Sequence, residues 1–90
     1  MKKEDIVFLD VRNTWEYKET HLKNSILIPF NSLQSNLENV LKDKSVPLAI
    51  FCSNGTRSKV AEKYIIKKGY NNIIFSGTLN EAENLQRKLA

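Results

Sequence analysis

The sequence is poor in the residues that build disulfide frameworks and metal sites. Its 90 residues include one cysteine, Cys52, and one histidine, His21. A single cysteine excludes an intramolecular disulfide and a cysteine-rich metal centre, and it leaves no second thiol to resolve an oxidised Cys52. A histidine without neighbouring ligand residues is better interpreted as a hydrogen-bonded structural residue than as a base. We therefore expect neither a metal nor a cofactor, and any chemistry at Cys52 has to use its own sulfur.

Long apolar runs and an extreme charge are lacking too. No run approaches the roughly 20 apolar residues that cross a bilayer, and residues 2–5 are charged but precede no signal-peptide core. The net charge of +4 comes from 14 Lys and Arg against 10 Asp and Glu. It is spread along the chain without an aromatic stripe, which disfavours nucleic-acid binding but suits anionic substrates. We expect a cytoplasmic protein that binds no nucleic acid and no membrane; a periplasmic one stays open if a leader has been removed.

One stretch, residues 48–61, concentrates the chemistry. Four apolar residues lead into Cys52, and a polar loop with Gly55 and Arg57 follows before a helical pattern begins. This predicts a strand, a tight loop and a helix, with Cys52 at the carboxyl end of the strand, where ligands collect in open α/β sheets. Loop amides and the helix N-terminus favour an anion there, and the thiolate is the nucleophilic form of cysteine. The alternative, a small buried hydrophobic cysteine, fits the polar loop less well.

The rest of the chain alternates strands and helices. Buried strands are predicted at residues 6–11, 25–28, 47–52 and 73–75, the last ended by Ser76-Gly77, and a helix follows each of them. The pattern predicts one domain over residues 1–90, an α/β fold with a central parallel sheet of four strands and helices on both faces. We expect Trp15 and Tyr17 to be packing residues. The helix positions predicted to face the core are Leu33, Leu37, Val40, Leu41, Val60, Ala61, Tyr64, Ile65, Leu79, Ala82, Leu85 and Leu89.

Three segments resemble the single-domain rhodaneses, which are sulfurtransferases. Residues 9–12 read L-D-V-R, residues 16–29 resemble the E-[FY]…G-H-I-x-G-A-x-x-I-P segment, and residues 52–58 resemble the C-x-x-G-x-R-S active loop. Thr20 stands where the family usually has glycine, and no tryptophan follows Ser76-Gly77. The family's usual first strand has no counterpart before residue 9, so four strands of the usual five are expected.

The resemblance implies a rhodanese-type sulfurtransferase in which Cys52 is the catalytic nucleophile. Cys52 would take a sulfane sulfur from a small anionic donor such as thiosulfate and pass it to cyanide or to a thiol acceptor, either a small molecule or a protein. We expect a monomer. The residues expected to hold the donor and the persulfide are Ser53, Asn54, Gly55, Thr56, Arg57 and Ser58.

Arg57 and Lys59 add two positive charges to this stretch. Arg57 could attract the donor directly, or it could brace the loop through a carboxylate such as Asp10; bracing is favoured because bidentate pairs fix geometry. Lys59 could add a positive field at the mouth of the loop, but it is better interpreted as a solvated surface lysine. No histidine is expected beside Cys52, so the amides and Arg57 have to favour the thiolate.

Two other functions stay open at the level of sequence. One is a non-enzymatic sulfur relay or rhodanese-like interaction module, and the other is a phosphatase or arsenate reductase with a similar cysteine loop. The loop disfavours phosphate, because only four residues separate Cys52 from Arg57, whereas the phosphatases that it resembles have five. A shorter ring of amides encloses a smaller ligand, and the loop has no carboxylic acid to protonate a leaving alkoxide.

Overall fold

The computed structural model describes residues 5–89, which form strands and helices in regular alternation. None of the helices in this part of the chain is long and apolar enough to cross a membrane. A short 3₁₀ turn, Phe30–Ser32, precedes the second helix. The elements are β1 Val7–Asp10, α1 Thr14–Glu19, β2 Ile26–Leu27, α2 Leu33–Val40, β3 Leu48–Cys52, α3 Thr56–Lys67, β4 Ile73–Thr78 and α4 Leu79–Lys88.

The four strands form one parallel sheet in the order β2-β1-β3-β4, which confirms the predicted fold class. All five residues of β3 are buried, as expected of an inner strand. At its carboxyl end Phe51 pairs with Asp10 of β1, and Cys52 pairs with Thr78 of β4. Cys52 therefore lies at the middle of the edge where the strand-to-helix loops converge.

Helices cover both faces of the sheet, also as predicted. Because side chains alternate along β3, Ile50 and Cys52 pack with Ala61 and Ile65 of α3 in one apolar cluster. Phe51 points to the opposite face, where its cluster includes Ala82 of α4. Burial on both faces holds β3 rigidly, so the position of the Cys52 backbone is set by the core.

The predicted ends of two strands are wrong. Residues 25–28 do not form a buried strand: only Ile26–Leu27 pair with β1, and Ile26 is 36% exposed because β2 is an edge strand. Ser76-Gly77 does not end the last strand, which continues to Thr78. The backbones of Ser76 and Gly77 pair with Ile50 and Phe51 of β3. Such pairing overrides the weak strand preference of serine and glycine.

Three predicted core positions are exposed instead. Trp15, Val40 and Val60 are 62%, 47% and 51% exposed. Helix α1 has only six residues and buries none of them, Trp15 included. Val40 and Val60 lie at the margins of their helical faces, where period alone does not separate the core from the surface.

Tyr17 and His21 contact each other and hold the segment after α1 in place. Their rings stack with centroids 4.0 Å apart, and the His21 Nδ1 atom lies 2.9 Å from the Tyr17 carbonyl oxygen, which accepts its hydrogen. The Tyr17 hydroxyl donates to the Ser25 carbonyl at 2.8 Å. His21 thus has the structural role that the sequence indicated.

Gly77 is expected to be intolerant of a side chain. A Cβ atom there would lie 2.4 Å from Glu81 Oε1 and 2.9 Å from Phe75 Cζ. The Glu81 carboxylate accepts the Thr78 N–H at 3.0 Å and so caps α4. Gly77→Ala should therefore lower the free energy of unfolding by about 1–3 kcal/mol, through crowding and a weakened cap.

Urea unfolding of Gly77→Ala and of Ser76→Ala measures this effect. The Ser76 hydroxyl oxygen is buried and has no hydrogen-bond partner among the described residues, so its removal should leave stability unchanged or raise it. Equal midpoints for Gly77→Ala and the wild type would show that Glu81 and Phe75 move aside without cost.

Candidate active site

The Cys52 sulfur is enclosed by backbone N–H groups of the loop that follows β3. The Gly55 amide donates to Sγ at 3.1 Å and the Ser58 amide at 3.4 Å. Gly55 precedes α3 with φ at 87°, in the left-handed region that glycine occupies without strain. That turn points the loop amides inward. The sequence predicted this cradle, and the structure has it.

These amides change the acidity of Cys52. Burial raises the pKa of the Cys52 thiol, but hydrogen bonds from the Ser58 amide and hydroxyl and from the Gly55 and Arg57 amides lower it, and the pKa is lowered overall. Donors that point at a sulfur stabilise its charged form more than its neutral form. The pKa of Cys52 is therefore lowered by hydrogen bonds from its own loop, without a histidine among the groups that lower it.

We expect the alkylation rate of Cys52 to rise with pH around a midpoint below the free-thiol value of about 8.5. The rate of iodoacetamide modification is measured from about pH 5 to about pH 10, a range that includes the free-thiol pKa. The same chain in urea provides the matched reference, because unfolding removes the amides and leaves the residue. A folded midpoint equal to or above the urea midpoint would contradict the effect of the cradle.

Arg57 braces the loop, but its partner is Glu16 and not Asp10. Arg57 Nη1 donates to Glu16 Oε1 at 2.9 Å, and Nη2 donates to Oε2 at 3.3 Å. The Ser53 hydroxyl donates to Glu16 Oε2 at 2.8 Å. One carboxylate from α1 thus holds both ends of the loop, and its pair with Arg57 offsets most of the guanidinium charge.

Asp10 is unavailable to Arg57 because Arg12 already occupies it. Arg12 Nε and Nη2 bond both Asp10 oxygens at distances of 2.8–3.1 Å, and Nη2 also donates to the Thr20 carbonyl at 2.7 Å. The side chains of Arg12 and Asp10 are 5% and 0% exposed. This buried pair ties β1 to the segment after α1, so both residues have a structural role.

Glu16 is the site residue that sequence reasoning missed. Its carboxylate also accepts the Asn13 N–H at 2.9 Å and so caps α1. The hydrogen bond from Arg57 is the main reason why the pKa of Glu16 falls to about 2. The resemblance includes Glu16 in the E-[FY] segment, but nothing in the sequence connects that segment with the Cys52 loop.

The remaining loop residues lie at different distances from the Cys52 sulfur. Asn54 Oδ1 lies 3.9 Å from Sγ and accepts the Thr56 N–H at 3.0 Å. The oxygen of the buried Ser58 hydroxyl lies 3.0 and 2.8 Å from the Gly55 and Gly77 carbonyl oxygens, which share its single hydrogen, so it joins the loop to β4. The six predicted loop residues therefore lie around Cys52, although Ser53 and Arg57 turn their side chains toward Glu16.

In this site, amides of a loop hold a cysteine at the carboxyl end of a parallel sheet. One class of α/β domains has this arrangement and uses the loop to bind an anion. Residues 1–81 match the family described as the rhodanese-like domain. The chain belongs to the rhodanese-like domain family, as the resemblance predicted.

Solved structures share the fold. A rhodanese with anions from E. coli superposes with a TM-score of 0.77 at 24% identity, over 84% of this chain and 89% of that chain. A single-domain sulfurtransferase from Saccharomyces cerevisiae gives a TM-score of 0.69 at 23% identity, over 96% of this chain and 80% of that chain. At these identities the similarity establishes the architecture.

A curated relative carries a different name. The chain is 30% identical over 77 residues to a tRNA uridine(34) hydroxylase from Hamiltonella defensa, a match that covers 81% of this chain and 22% of the relative. The chain thus spans about a fifth of the length of the curated relatives that it matches. The name describes those longer proteins.

Proposed function

We propose that the protein is a sulfurtransferase that carries a sulfane sulfur on Cys52. The observation that supports this most directly is the pair of amides aimed at Sγ, at 3.1 Å from Gly55 and 3.4 Å from Ser58. Groups that stabilise a thiolate also stabilise the anionic persulfide that replaces it, as an oxyanion hole stabilises its charge.

The proposed reaction has two half-steps. The Cys52 thiolate attacks the outer sulfur of thiosulfate; an S–S bond forms at Sγ, the S–S bond of thiosulfate breaks, and sulfite leaves with the electron pair. Cyanide or a thiolate then attacks the outer sulfur of the persulfide, and the electron pair of that bond returns to Sγ. The sulfur is carried covalently between the two substrates, so ping-pong kinetics are expected.

The loop residues have distinct proposed roles in this reaction. The amides of Gly55, Arg57 and Ser58 hold the persulfide, Asn54 lies against the sulfur, and the side chains of Ser53 and Arg57 keep the loop closed through Glu16. The proposed partners are a small anionic donor such as thiosulfate and a thiol acceptor, either a small molecule or a protein. The phosphatase alternative remains less favourable, because the four-residue loop closes tightly around one sulfur atom.

The test is mass spectrometry of the intact protein after incubation with thiosulfate. We expect a gain of one sulfur atom at Cys52 and its loss on addition of cyanide, with thiocyanate as the product. An aryl phosphate offered to the same protein should not be hydrolysed. Phosphate release without any sulfur uptake would overturn the proposal in favour of the phosphatase.

A second candidate follows from the curated relative. A rhodanese-like domain that contributes to uridine hydroxylation of tRNA is supported by the 30% identity over 77 residues. Analysis of tRNA nucleosides in cells with and without the protein tests it: loss of hydroxylated uridine would favour this candidate, and an unchanged nucleoside profile would argue against it.

A further inference from the structure

An apolar groove lies between α2 and α3, on the face of the sheet that α3 covers. Its volume is about 210 Å³, and the residues that line it are Phe30, Leu33, Gln34, Val60 and Tyr64. This volume is below the roughly 300–1,000 Å³ that is usual for small-molecule sites. The groove therefore suits a few side chains of a larger molecule better than a whole small ligand.

The floor of the groove is continuous with the core, and one of its walls is open to solvent. Leu33 belongs to the buried cluster on this face of the sheet, and Phe30 and Tyr64 pack against that cluster. Val60, on the opposite wall from Leu33, is 51% exposed. A partner can therefore bury apolar surface here against a floor that the core already holds in place, which keeps the entropic cost of binding low.

Both walls come from helices, and this decides the shape of the occupant. Helices satisfy most of their backbone groups internally, so the groove presents side chains only. An extended segment would find no backbone partners in it, whereas a helix satisfies its own N–H and C=O groups. An amphipathic helix that lays its apolar face into a hydrophobic groove is a recurring mode of recognition.

The rim of the groove on the α3 side is basic. Lys63 and Lys67 follow Val60 and Tyr64 by three residues each, and side chains three apart are neighbours on a helix. Both lysines are exposed, and neither forms an ion pair with an acid in the described part of the chain. Glu62, the one acid of α3, lies on the other flank of the helix beside β4.

The rim on the α2 side is neutral. Glu38 is the one charged residue of α2, and its charge is paired with Lys44 at 2.8 Å. A second copy of this chain would set the same basic rim against this one, and a nucleic acid would meet positive charge on one side only. Acids along one side of a partner helix complement the groove, because Lys63 and Lys67 are one turn apart, as are two acids four residues apart.

We propose that the groove between α2 and α3 binds an acidic amphipathic helix of a partner protein, with the apolar side chains of that helix in the groove and its acids on Lys63 and Lys67. The partner helix lies next to the Cys52 loop, because Val60 follows Arg57 of that loop by one turn of α3. The binding does not depend on sulfur transfer, and it is measured without a sulfur donor.

Three synthetic peptides of equal length probe the groove. The acidic peptide repeats leucine every three or four residues with glutamates beside them; lysines replace the glutamates in the second peptide, and serines replace the leucines in the third. Each is added to isotope-labelled protein up to about 1 mM, at the weak end of specific binding, and the amide shifts are followed by NMR. We expect the acidic peptide to shift residues on both walls and to bind at least about tenfold more tightly than the other two.

Val60→Ser tests the apolar contact. It should weaken binding of the acidic peptide about tenfold, because burial of one aliphatic side chain has an effect of this size. Ile66→Ser is the matched control, since Ile66 is 53% exposed on the β4 flank of the same helix and should leave binding unchanged. Amide shifts outside the groove show that each variant is folded.

The double variant Lys63→Met, Lys67→Met tests the charge. It should weaken the acidic peptide about tenfold, as loss of two exposed ion pairs does. The double variant Lys23→Met, Lys88→Met removes the same charge at exposed positions, with Lys88 on α4 across the sheet, and should not weaken it.

Five results would overturn the proposal. The acidic peptide could leave the groove shifts unchanged, it could bind no more tightly than the lysine peptide, or each control variant could weaken it as much as its test variant. Equal shifts on both walls with a single-stranded RNA would assign the face to nucleic acid. A dimer of the wild type that Val60→Ser dissociates, measured by sedimentation, would assign it to a second copy of the chain.

Discussion

Replacing Cys52 with serine is expected to abolish sulfur uptake from thiosulfate and to lower turnover by at least about a thousandfold, since a hydroxyl without a neighbouring base is a poor nucleophile. Cys52 is 0% exposed and surrounded by apolar side chains and amides. Serine is smaller than cysteine and can accept the same amide hydrogens, so the loop should keep its shape.

The measurement combines intact-protein mass spectrometry with a thiosulfate:cyanide assay, and thermal unfolding of Cys52→Ser shows that the fold is retained. Ser58→Ala is a useful comparison, because it perturbs the same loop but keeps the nucleophile; it should retain sulfur uptake at a reduced rate. Sulfur bound to folded Cys52→Ser protein, or thiocyanate formed by it at the wild-type rate, would show that Cys52 does not carry the transferred sulfur.

Glu16→Gln is expected to slow sulfur transfer about ten- to hundredfold, because small displacements of reacting groups have effects of this size. The Glu16 and Arg57 side chains are 15% and 28% exposed, and they meet at 2.9 Å. The substitution keeps the size of the side chain but removes the charge that holds Arg57 and Ser53 together. Loss of a hydrogen bond to a charged group should also lower the free energy of unfolding by about 1.5–3 kcal/mol.

The pH dependence identifies the cause of that stability loss. The pKa of Glu16 is lowered from 4.5 to about 2 in the folded protein. A depressed acid pKa contributes stability above the unfolded value and loses it as the pH falls toward the folded value. The difference in unfolding free energy between wild type and Glu16→Gln should therefore be full above about pH 4.5 and shrink toward pH 2.

Glu19→Gln provides the control. Glu19 is exposed on the same helix, so its substitution should leave the rate of sulfur transfer and the free energy of unfolding unchanged. A faster reaction of Glu16→Gln with thiosulfate would contradict the brace. It would mean that Arg57, once released from Glu16, attracts the anionic donor, which is the alternative role that the sequence left open.

The sequence by itself determined the parallel sheet and the place of Cys52. Continuous apolar strands that alternate with helical patterns have few other solutions, because strands buried on both faces require helices on both sides. The position of Cys52, between an apolar run and a polar loop with Gly55, likewise follows from local order along the chain. These features depend on neighbours in sequence.

The partners of the charged side chains were decided by the tertiary structure alone. Arg57 lies 41 residues from Glu16 in the chain and 47 from Asp10, and no local pattern distinguishes the two acids. The choice depends on Arg12 occupying Asp10 and on α1 turning Glu16 toward the loop. In the same way, Lys59 of α3 and Glu81 of α4 line one cleft although the two helices cover opposite faces of the sheet, because β4 contacts both helices. Long-range side-chain pairing follows from packing in three dimensions, which spacing along a single sequence does not contain.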